Sequence, residues 1–327
     1  MEQVLGLVRL PYAPESCIER TTSALCKGFE FYFRWHTTIM NSCLPLGTYE
    51  QGPQKENQPE PALDGGLLKR MADIICTLVR SLEERCLPSF DKLAPLVSKL
   101  LAEPRPWMEH LHGLAIIGDI LKLGPAACSR YSTCYLPGIV ERLDSRVDSV
   151  RAAAARAVAT LAERGGSAFA AECGRALPSL ARAIQLPKPL FTEHSLSTEL
   201  SIVALSRIMQ NHWDTPEVKA GVNDLFPNLL HSLQSLGADT LGPPLELICS
   251  AVERNDGVAM EHAAHVFHVL QNTLARDEVA KDSALSKRVR ACLQRLTLDP
   301  LPDESVRKAL GVIYELFSTS EAEDDKT

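Results

Sequence analysis

The chain has 327 residues, of which 45% are hydrophobic and 23% charged, and its formal net charge is −7. These values are ordinary for a soluble protein with enough apolar residues for a core. No stretch approaches the run of about 18 apolar residues that a bilayer-spanning helix needs, so no membrane span is predicted. The ten cysteines are scattered singly without any CxxC spacing, which excludes a disulfide-rich scaffold and favours reduced, mostly structural thiols.

Composition along the chain predicts four segments. Residues 1–46 form an atypical N-terminal segment, and a helix from about Glu15 to Leu44 is either part of an incomplete repeat or an exposed terminal segment. Residues 47–66 are polar and rich in proline and glycine, which predicts a flexible loop. Residues 67–318 carry regular helical patterns, and the acidic residues 319–327 are expected to be disordered.

The regular part is organised around the sequence VDSVRAAAARAVATLAERGG, residues 147–166. Its alanine run favours a helix, and Gly165 and Gly166 are expected to end that helix. The segment ALPSLARAI then predicts a second helix with Pro178 in its first turn. One helical hairpin leaves an apolar stripe uncovered, so we expect the stripe of the first helix to pack between repeats. That stripe consists of Val150, Ala154, Ala157, Val158 and Leu161.

Hydrophobic–proline pairs recur along the chain, and successive prolines are 49, 41 and 49 residues apart. A period of roughly 40–47 residues with two helices per unit is typical of HEAT or armadillo repeats. The sequence therefore predicts an all-α fold, an α-solenoid of stacked antiparallel hairpins in which each proline opens an inner helix. Less regular helices are predicted at 243–254, 256–276, 282–296 and 303–318. The pairs are Leu87-Pro88, Leu136-Pro137, Leu177-Pro178 and Phe226-Pro227.

The common catalytic signatures are missing from the sequence. It contains no P-loop, GxGxxG, GxSxG or HExxH motif, so we expect no enzymatic activity and no cofactor; a helical enzyme with an unrecognised site is the minor alternative. His262 and His265 lie three residues apart and could share a metal ion. Two histidines are not a site without further ligands, so an ordinary helix face is the preferred interpretation.

Acidic residues on or beside the predicted inner helices are candidates for contacts with a basic partner. The alternative is a solvated helix face without a partner. A basic partner drawn to such a surface would bind less tightly at high salt. Asp148 and Arg151 are expected instead to set the register of the stacked repeats. The candidate partner-facing acids are Asp91, Glu141, Asp144, Glu172 and Asp224.

Four segments of the chain resemble a known family. They are PRPWMEHLHGLAIIGDILKLGPAACSRY, LPGIVERLDSRVDSVRAAAARAVATLAERGG, ALPSLARAIQ and STELSIVALSRIMQ. Together they resemble the C-terminal HEAT repeats of the importin-β (karyopherin-β) nuclear transport receptors, most closely the importin-four and importin-five branch. The similarity extends from about Leu67 to Phe317.

The resemblance implies a receptor that moves between cytoplasm and nucleus with protein cargo, often basic, on its inner helices. It also implies binding of nucleoporin phenylalanine–glycine (FG) repeats between outer helices. Such receptors release import cargo when Ran-GTP occupies an N-terminal arch; because nothing in this chain resembles that arch, control by Ran-GTP is not expected. Neither nucleic acid nor a membrane is an expected direct partner. The alternative is a HEAT scaffold or assembly chaperone without a role in transport.

Overall fold

The computed structural model describes residues 14–43, 64–102, 105–170, 172–185, 196–276, 279 and 283–298. Within these ranges the regular structure is helical, without a β-strand. None of the helices in the described part of the chain combines the length and apolarity that a membrane crossing requires. The predicted loop at 47–66 lies outside the described residues up to 63, and Asp64 already begins a helix. The predicted helix at 303–318 and the acidic tail at 319–327 also lie outside them.

The chain divides into two compact units, Met1–Leu180 and Ala181–Thr327. Short 3₁₀ turns at Glu83–Cys86 and Cys173–Arg175 interrupt the helices of the first unit. Helix α8 (Leu177–Gln185) crosses the boundary between the units. The other helices of the first unit are α1 (Glu15–Cys43), α2 (Asp64–Leu82), α3 (Leu87–Leu100), α4 (Trp107–Leu121), α5 (Pro125–Arg142), α6 (Asp148–Arg164) and α7 (Gly166–Ala170).

Stacked hairpins build the first unit. We call the first helix of each hairpin A-type and the second B-type. The A-type helix α4 packs against the A-type helices α2 and α6 on either side, and the B-type helix α3 packs against its counterpart α5. Helix α1 packs against α2 and α3. Because equivalent helices of successive hairpins contact each other, the prediction of an all-α stack of HEAT-type repeats is confirmed.

The second unit repeats this arrangement. Its A-type helices are α9, α11 and α14, with α11 packed against both others, and its B-type helices are α10 and the pair α12 and α13. The helix predicted at 256–276 is divided near His262, and the helix predicted from 243 begins five residues earlier. The bounds are α9 (Leu196–Asn211), α10 (Pro216–Ser232), α11 (Ala238–Glu253), α12 (Gly257–Glu261), α13 (Ala263–Leu274) and α14 (Ser283–Leu298).

Two of the four prolines do not open a helix, and for these the sequence prediction was wrong. Pro88 and Pro178 are each the second residue of their helix. Pro137 and Pro227 instead lie inside α5 and α10, which begin earlier, at Pro125 and Pro216. Since a proline removes only its own hydrogen bond to the preceding turn, a helix packed on both sides can continue through it. The repeat register is therefore preserved although the helix starts differ.

Helix α6 presents its predicted apolar stripe to the interior. Every member of the stripe is at most 1% exposed. The helix packs against α4 and α5, so the alanines allow close approach while Leu161 fills the interior. The chain then turns at Gly165 and Gly166, of which only Gly166 adopts a left-handed conformation, with a φ of 53°.

Gly165 is sterically required, and we expect Gly165→Ala to destabilise the fold by about 1–3 kcal/mol. A Cβ atom there would lie 2.5 Å from the Leu161 carbonyl oxygen and 2.6 Å from Cβ of Phe169, so α6 and α7 would have to separate. Gly118→Ala is the matched control, because the added Cβ would meet no atom within 4 Å apart from the backbone of its own helix, and alanine favours a helix interior. Urea unfolding of both variants measures the difference; equal midpoints would contradict the steric requirement.

Arginines tie the ends of equivalent helices in successive repeats. Each arginine near the end of one helix donates a hydrogen bond to a carbonyl at the end of the corresponding helix one repeat earlier. These carbonyls have no partner within their own helix and carry the negative end of its dipole, so a guanidinium there is favourable. The pairs are Arg142 with Leu101 and Arg164 with Lys122 in the first unit, and Arg276 with Leu236 and Arg295 with Glu253 in the second.

A buried carboxylate anchors α1 to the first turn of α4. Glu109 is 1% exposed. It accepts hydrogen bonds from the Tyr32 hydroxyl at 3.1 Å and from the Arg105 guanidinium at 3.0 Å, and Nε2 of His36 lies 3.3 Å from the same carboxylate. The N-terminal position of Glu109 in α4 is favourable for a negative charge. Helix α1 is thus fixed by polar contacts as well as by buried apolar residues such as Phe29.

Candidate protein-binding surface

The predicted partner-facing acids are distributed over both units. Asp91, Glu141, Asp144 and Glu172 belong to the first unit, and Asp224 belongs to the second. Asp91 lies in α3 and Glu141 in α5, whereas Asp144 follows the end of α5. All five are at least partly exposed, but their immediate partners differ. Those partners decide which carboxylates remain available to another protein.

Asp91 is already engaged with the neighbouring repeat. One carboxylate oxygen accepts from the Arg130 guanidinium, and the other accepts from the Tyr131 hydroxyl at 2.8 Å. The same hydroxyl lies 3.2 Å from the Leu87 carbonyl oxygen, so Tyr131 is fixed between two acceptors. Burial and the hydrogen bond to Asp91 raise the pKa of Tyr131, which therefore stays a neutral donor. Asp91 thus serves first to join α3 and α5.

Glu141 and Asp144 form what we call the carboxylate corner at the C-terminal end of α5. Glu141 is in the last turn, and its side chain is 65% exposed. Asp144 lies just beyond the helix end, is exposed and accepts a hydrogen bond from the Ser179 hydroxyl at 2.9 Å. Acidic residues at a helix C-terminus add to the negative end of its dipole. The exposed Glu141 carboxylate therefore adds to the negative end of the α5 dipole, where a cation is favourable.

Arg142 provides a cationic contact within 4 Å of Glu141. The Arg142 guanidinium lies 3.8 Å from the Glu141 carboxylate but is itself buried and donates to the Leu101 carbonyl. Burial and the nearby Arg142 charge lower the pKa of the adjacent His110 to about 4, so His110 is neutral near pH 7. Arg142 consequently supplies only partial compensation for Glu141.

Glu172 and Asp224 show opposite arrangements. The Glu172 carboxylate lies 3.0 Å from the Arg175 guanidinium three residues later, an exposed pair within one segment. Asp224 is exposed in α10, and its backbone carbonyl accepts from the Asn228 side-chain amide at 2.9 Å. Asp224 is therefore an exposed acid of the second unit.

The sequence analysis did not identify the arginines that pair with acidic residues of neighbouring repeats. Arg130 pairs with Asp91 across a separation of 39 residues, which is close to one repeat. Arg80 with Asp119, and Arg207 with Glu246, show the same separation. An acidic residue and an arginine about one repeat apart in the sequence could therefore have predicted these ion pairs. Asp148 and Arg151, expected to set the register, form a contact of 2.7 Å within α6, and their role in the register remains a prediction.

The paired histidines lie at the division between α12 and α13. His262 and His265 are both half-buried. Burial, together with nearby His231, His262 and His268, lowers the pKa of His265. No cluster of three or more histidine, cysteine or acidic side chains in the described ranges is placed to hold a metal ion. His268 contacts the Asn272 amide at 3.1 Å, a helix-surface interaction.

Comparison with known proteins gives a clear result for the fold. No protein-family model matches the chain. It is similar to the solved structure of Kap121p bound to Nup53p, with 15% identity and a TM-score of 0.59 over 94% of this chain and 26% of that one. The structure of Kap121p bound to RanGTP shows 15% identity and a TM-score of 0.59 over 91% of this chain and 25% of that one. The karyopherin Kap121p bound to the SUMO protease Ulp1p is 15% identical, with a TM-score of 0.57 over 86% of this chain and 24% of that one.

These similarities establish that the chain has the α-solenoid fold of karyopherin structures. The chain spans about a quarter of the length of the Kap121p chains that it matches. The solved structures that the chain matches are karyopherin structures, which agrees with the predicted family resemblance as far as the fold is concerned. Assignment to the importin-four and importin-five branch remains a prediction.

Proposed function

We propose that this chain is a protein-binding HEAT-repeat module of the nuclear import-receptor kind, which binds a basic segment of a protein cargo and performs no catalysis. The observation that carries the proposal is the exposed carboxylate corner on a fold shared with Kap121p structures. Those structures include Kap121p bound to Nup53p, to RanGTP and to Ulp1p. Movement between cytoplasm and nucleus is part of the proposal.

The carboxylate corner suits a lysine- or arginine-rich segment. Glu141 and Asp144 lie three residues apart at a helix end, so both can face one cationic side chain or two adjacent ones. Asp91, whose partners lie toward the opposite end of α5, offers a separate cation position, because exchanging an exposed ion pair with Arg130 for one with a guest guanidinium changes the free energy by only about 0–1 kcal/mol. Tyr131 would keep its contact with the Leu87 carbonyl during this exchange. Affinity from exposed charges falls as salt is added.

Reversing the charges of the carboxylate corner tests this site. We expect the double variant Glu141→Lys/Asp144→Lys to bind a fluorescent lysine- and arginine-rich peptide about tenfold more weakly, because attraction becomes repulsion at both positions. The matched control is Glu163→Lys/Glu217→Lys, which changes the net charge equally at exposed acids of α6 and α10. Fluorescence anisotropy at two salt concentrations measures both. If both variants lost the same peptide affinity, the effect would come from overall charge, and the carboxylate corner would not be the binding site.

Retention on immobilised FG repeats tests the transport part of the proposal separately. We expect the wild-type chain to be retained and the Glu141→Lys/Asp144→Lys variant to be retained equally, since FG repeats are apolar and uncharged at their core. A chain that binds the basic peptide but passes through the FG column would instead be a scaffold or assembly chaperone. If the wild-type chain neither bound the basic peptide nor was retained by FG repeats, the whole proposal would be contradicted.

A further inference from the structure

Two buried cysteines meet where the A-type helices α11 and α14 pack together. Cys249 is fully buried and Cys292 is 2% exposed. The Cys292 thiol donates to the Cys249 carbonyl oxygen across 3.7 Å, so its sulfur lies against the backbone of the other cysteine. They are 43 residues apart in the sequence, about one repeat, so the stacking of hairpins brings them together.

Charged contacts hold this pair in alignment. Arg288, one turn before Cys292 on α14, donates to both carboxylate oxygens of Glu253 at 2.7 Å and to the Ser250 hydroxyl at 2.8 Å. Arg295, on the other side of Cys292, donates to the Glu253 carbonyl at 2.8 Å. Such a bidentate arginine–carboxylate pair fixes orientation as well as distance. Sliding of α14 along α11 would break these bonds, so Cys292 is held beside Cys249.

We propose that Cys249 and Cys292 are a reversible oxidation site, at which a peroxide converts the two thiols into a disulfide that links α11 to α14. The inference does not depend on the proposed function.

The chemistry assigns different roles to the two sulfurs. The hydrogen bond from the Cys249 thiol, with Arg288 and Arg295 nearby, lowers the pKa of Cys292, whereas the same hydrogen bond and burial raise that of Cys249. The Cys292 thiolate attacks hydrogen peroxide; an S–O bond forms, the O–O bond breaks and hydroxide leaves to become water. The Cys249 sulfur then attacks the sulfenic acid, forming the S–S bond and releasing a second water. Each sulfur gives up one electron, and the peroxide takes both.

Peroxide is small enough to reach this site during local opening of α14. The disulfide would close a loop of 43 residues and prevent α14 from separating from α11. We therefore expect an oxidised chain with a higher unfolding temperature than the reduced chain, and reversal by dithiothreitol.

Mass spectrometry of the full chain tests the proposal. Reduced protein is treated with hydrogen peroxide, denatured, alkylated and digested. We expect a linked peptide pair containing Cys249 and Cys292, with a mass loss of about 2 Da relative to the two thiols. Cys249→Ala and Cys292→Ala should each abolish the link, whereas Cys173→Ala, which removes a buried thiol of the first unit, should retain it. Circular dichroism verifies that the variants fold. If one variant fails to fold, the linked peptide pair in the wild-type chain still tests the proposal.

The proposal is overturned if Cys249 and Cys292 both carry the alkyl label after peroxide has oxidised the exposed Cys134. It is also overturned if the link forms only after the protein has been unfolded in denaturant, because the native packing would then have no role in the reaction.

Discussion

Leu161→Asp is expected to unfold the first unit cooperatively. Leu161 is fully buried in α6, the helix that packs against α4 and α5. The substitution removes a buried leucine, worth about 1.5–3 kcal/mol, and places a carboxylate in an apolar interior. Together these effects should lower the free energy of unfolding by about 4 kcal/mol or more. Thermal melting followed by far-ultraviolet circular dichroism measures the loss.

The same aspartate at an exposed position of α6 provides the control. Arg156 is exposed on this helix, so Arg156→Asp changes helix propensity and charge without entering the interior. We expect it to shift stability by less than about 1 kcal/mol. A melt of Leu161→Asp that matched the wild type would be incompatible with the packing of α6 between its neighbours.

Glu109→Ala has the second largest expected effect. It removes the acceptor of the Tyr32 hydroxyl and leaves the Arg105 guanidinium without its carboxylate. Removing one partner from a buried charged network destabilises by about 3–5 kcal/mol. Because these contacts join α1 to α4, we expect the loss to appear first as faster hydrogen exchange across residues 15–38. Mass-spectrometric hydrogen exchange measures this directly.

Glu109→Gln separates charge from hydrogen bonding. Its amide oxygen can still accept from Tyr32, so we expect a smaller loss, about 1–2 kcal/mol, with α1 still protected. Exchange in residues 15–38 that is as slow in Glu109→Ala as in the wild type would show that apolar contacts such as Phe29 hold α1 without the carboxylate.

Local patterns predicted the helices well. The stripe from Val150 to Leu161 is a property of one helix, and its spacing alone shows which face requires cover. The proline pattern was less reliable for helix starts. Pro137 and Pro227 lie inside continuous helices, because neighbouring packing keeps α5 and α10 helical through a missing hydrogen bond. Repeat register was nevertheless readable, since it depends on the apolar residues around the prolines.

The candidate site could be predicted only in part. Sequence named five acids, but it did not show that Asp91 is occupied by Arg130 and Tyr131 while Glu141 stays largely exposed. Such differences depend on which arginine lies opposite after two hairpins have stacked. The same reasoning applies to Cys249 and Cys292, which the sequence presented as unrelated single cysteines.

By itself, the sequence determined an all-α chain of repeating helical hairpins, because helix periodicity and apolar stripes are set by residues within a few turns of each other. Only the tertiary structure decided which charges are paired between repeats, which carboxylates form the exposed corner and which thiols meet. Those outcomes depend on side chains about one repeat apart in sequence, and their distance is fixed by the packing of whole helices.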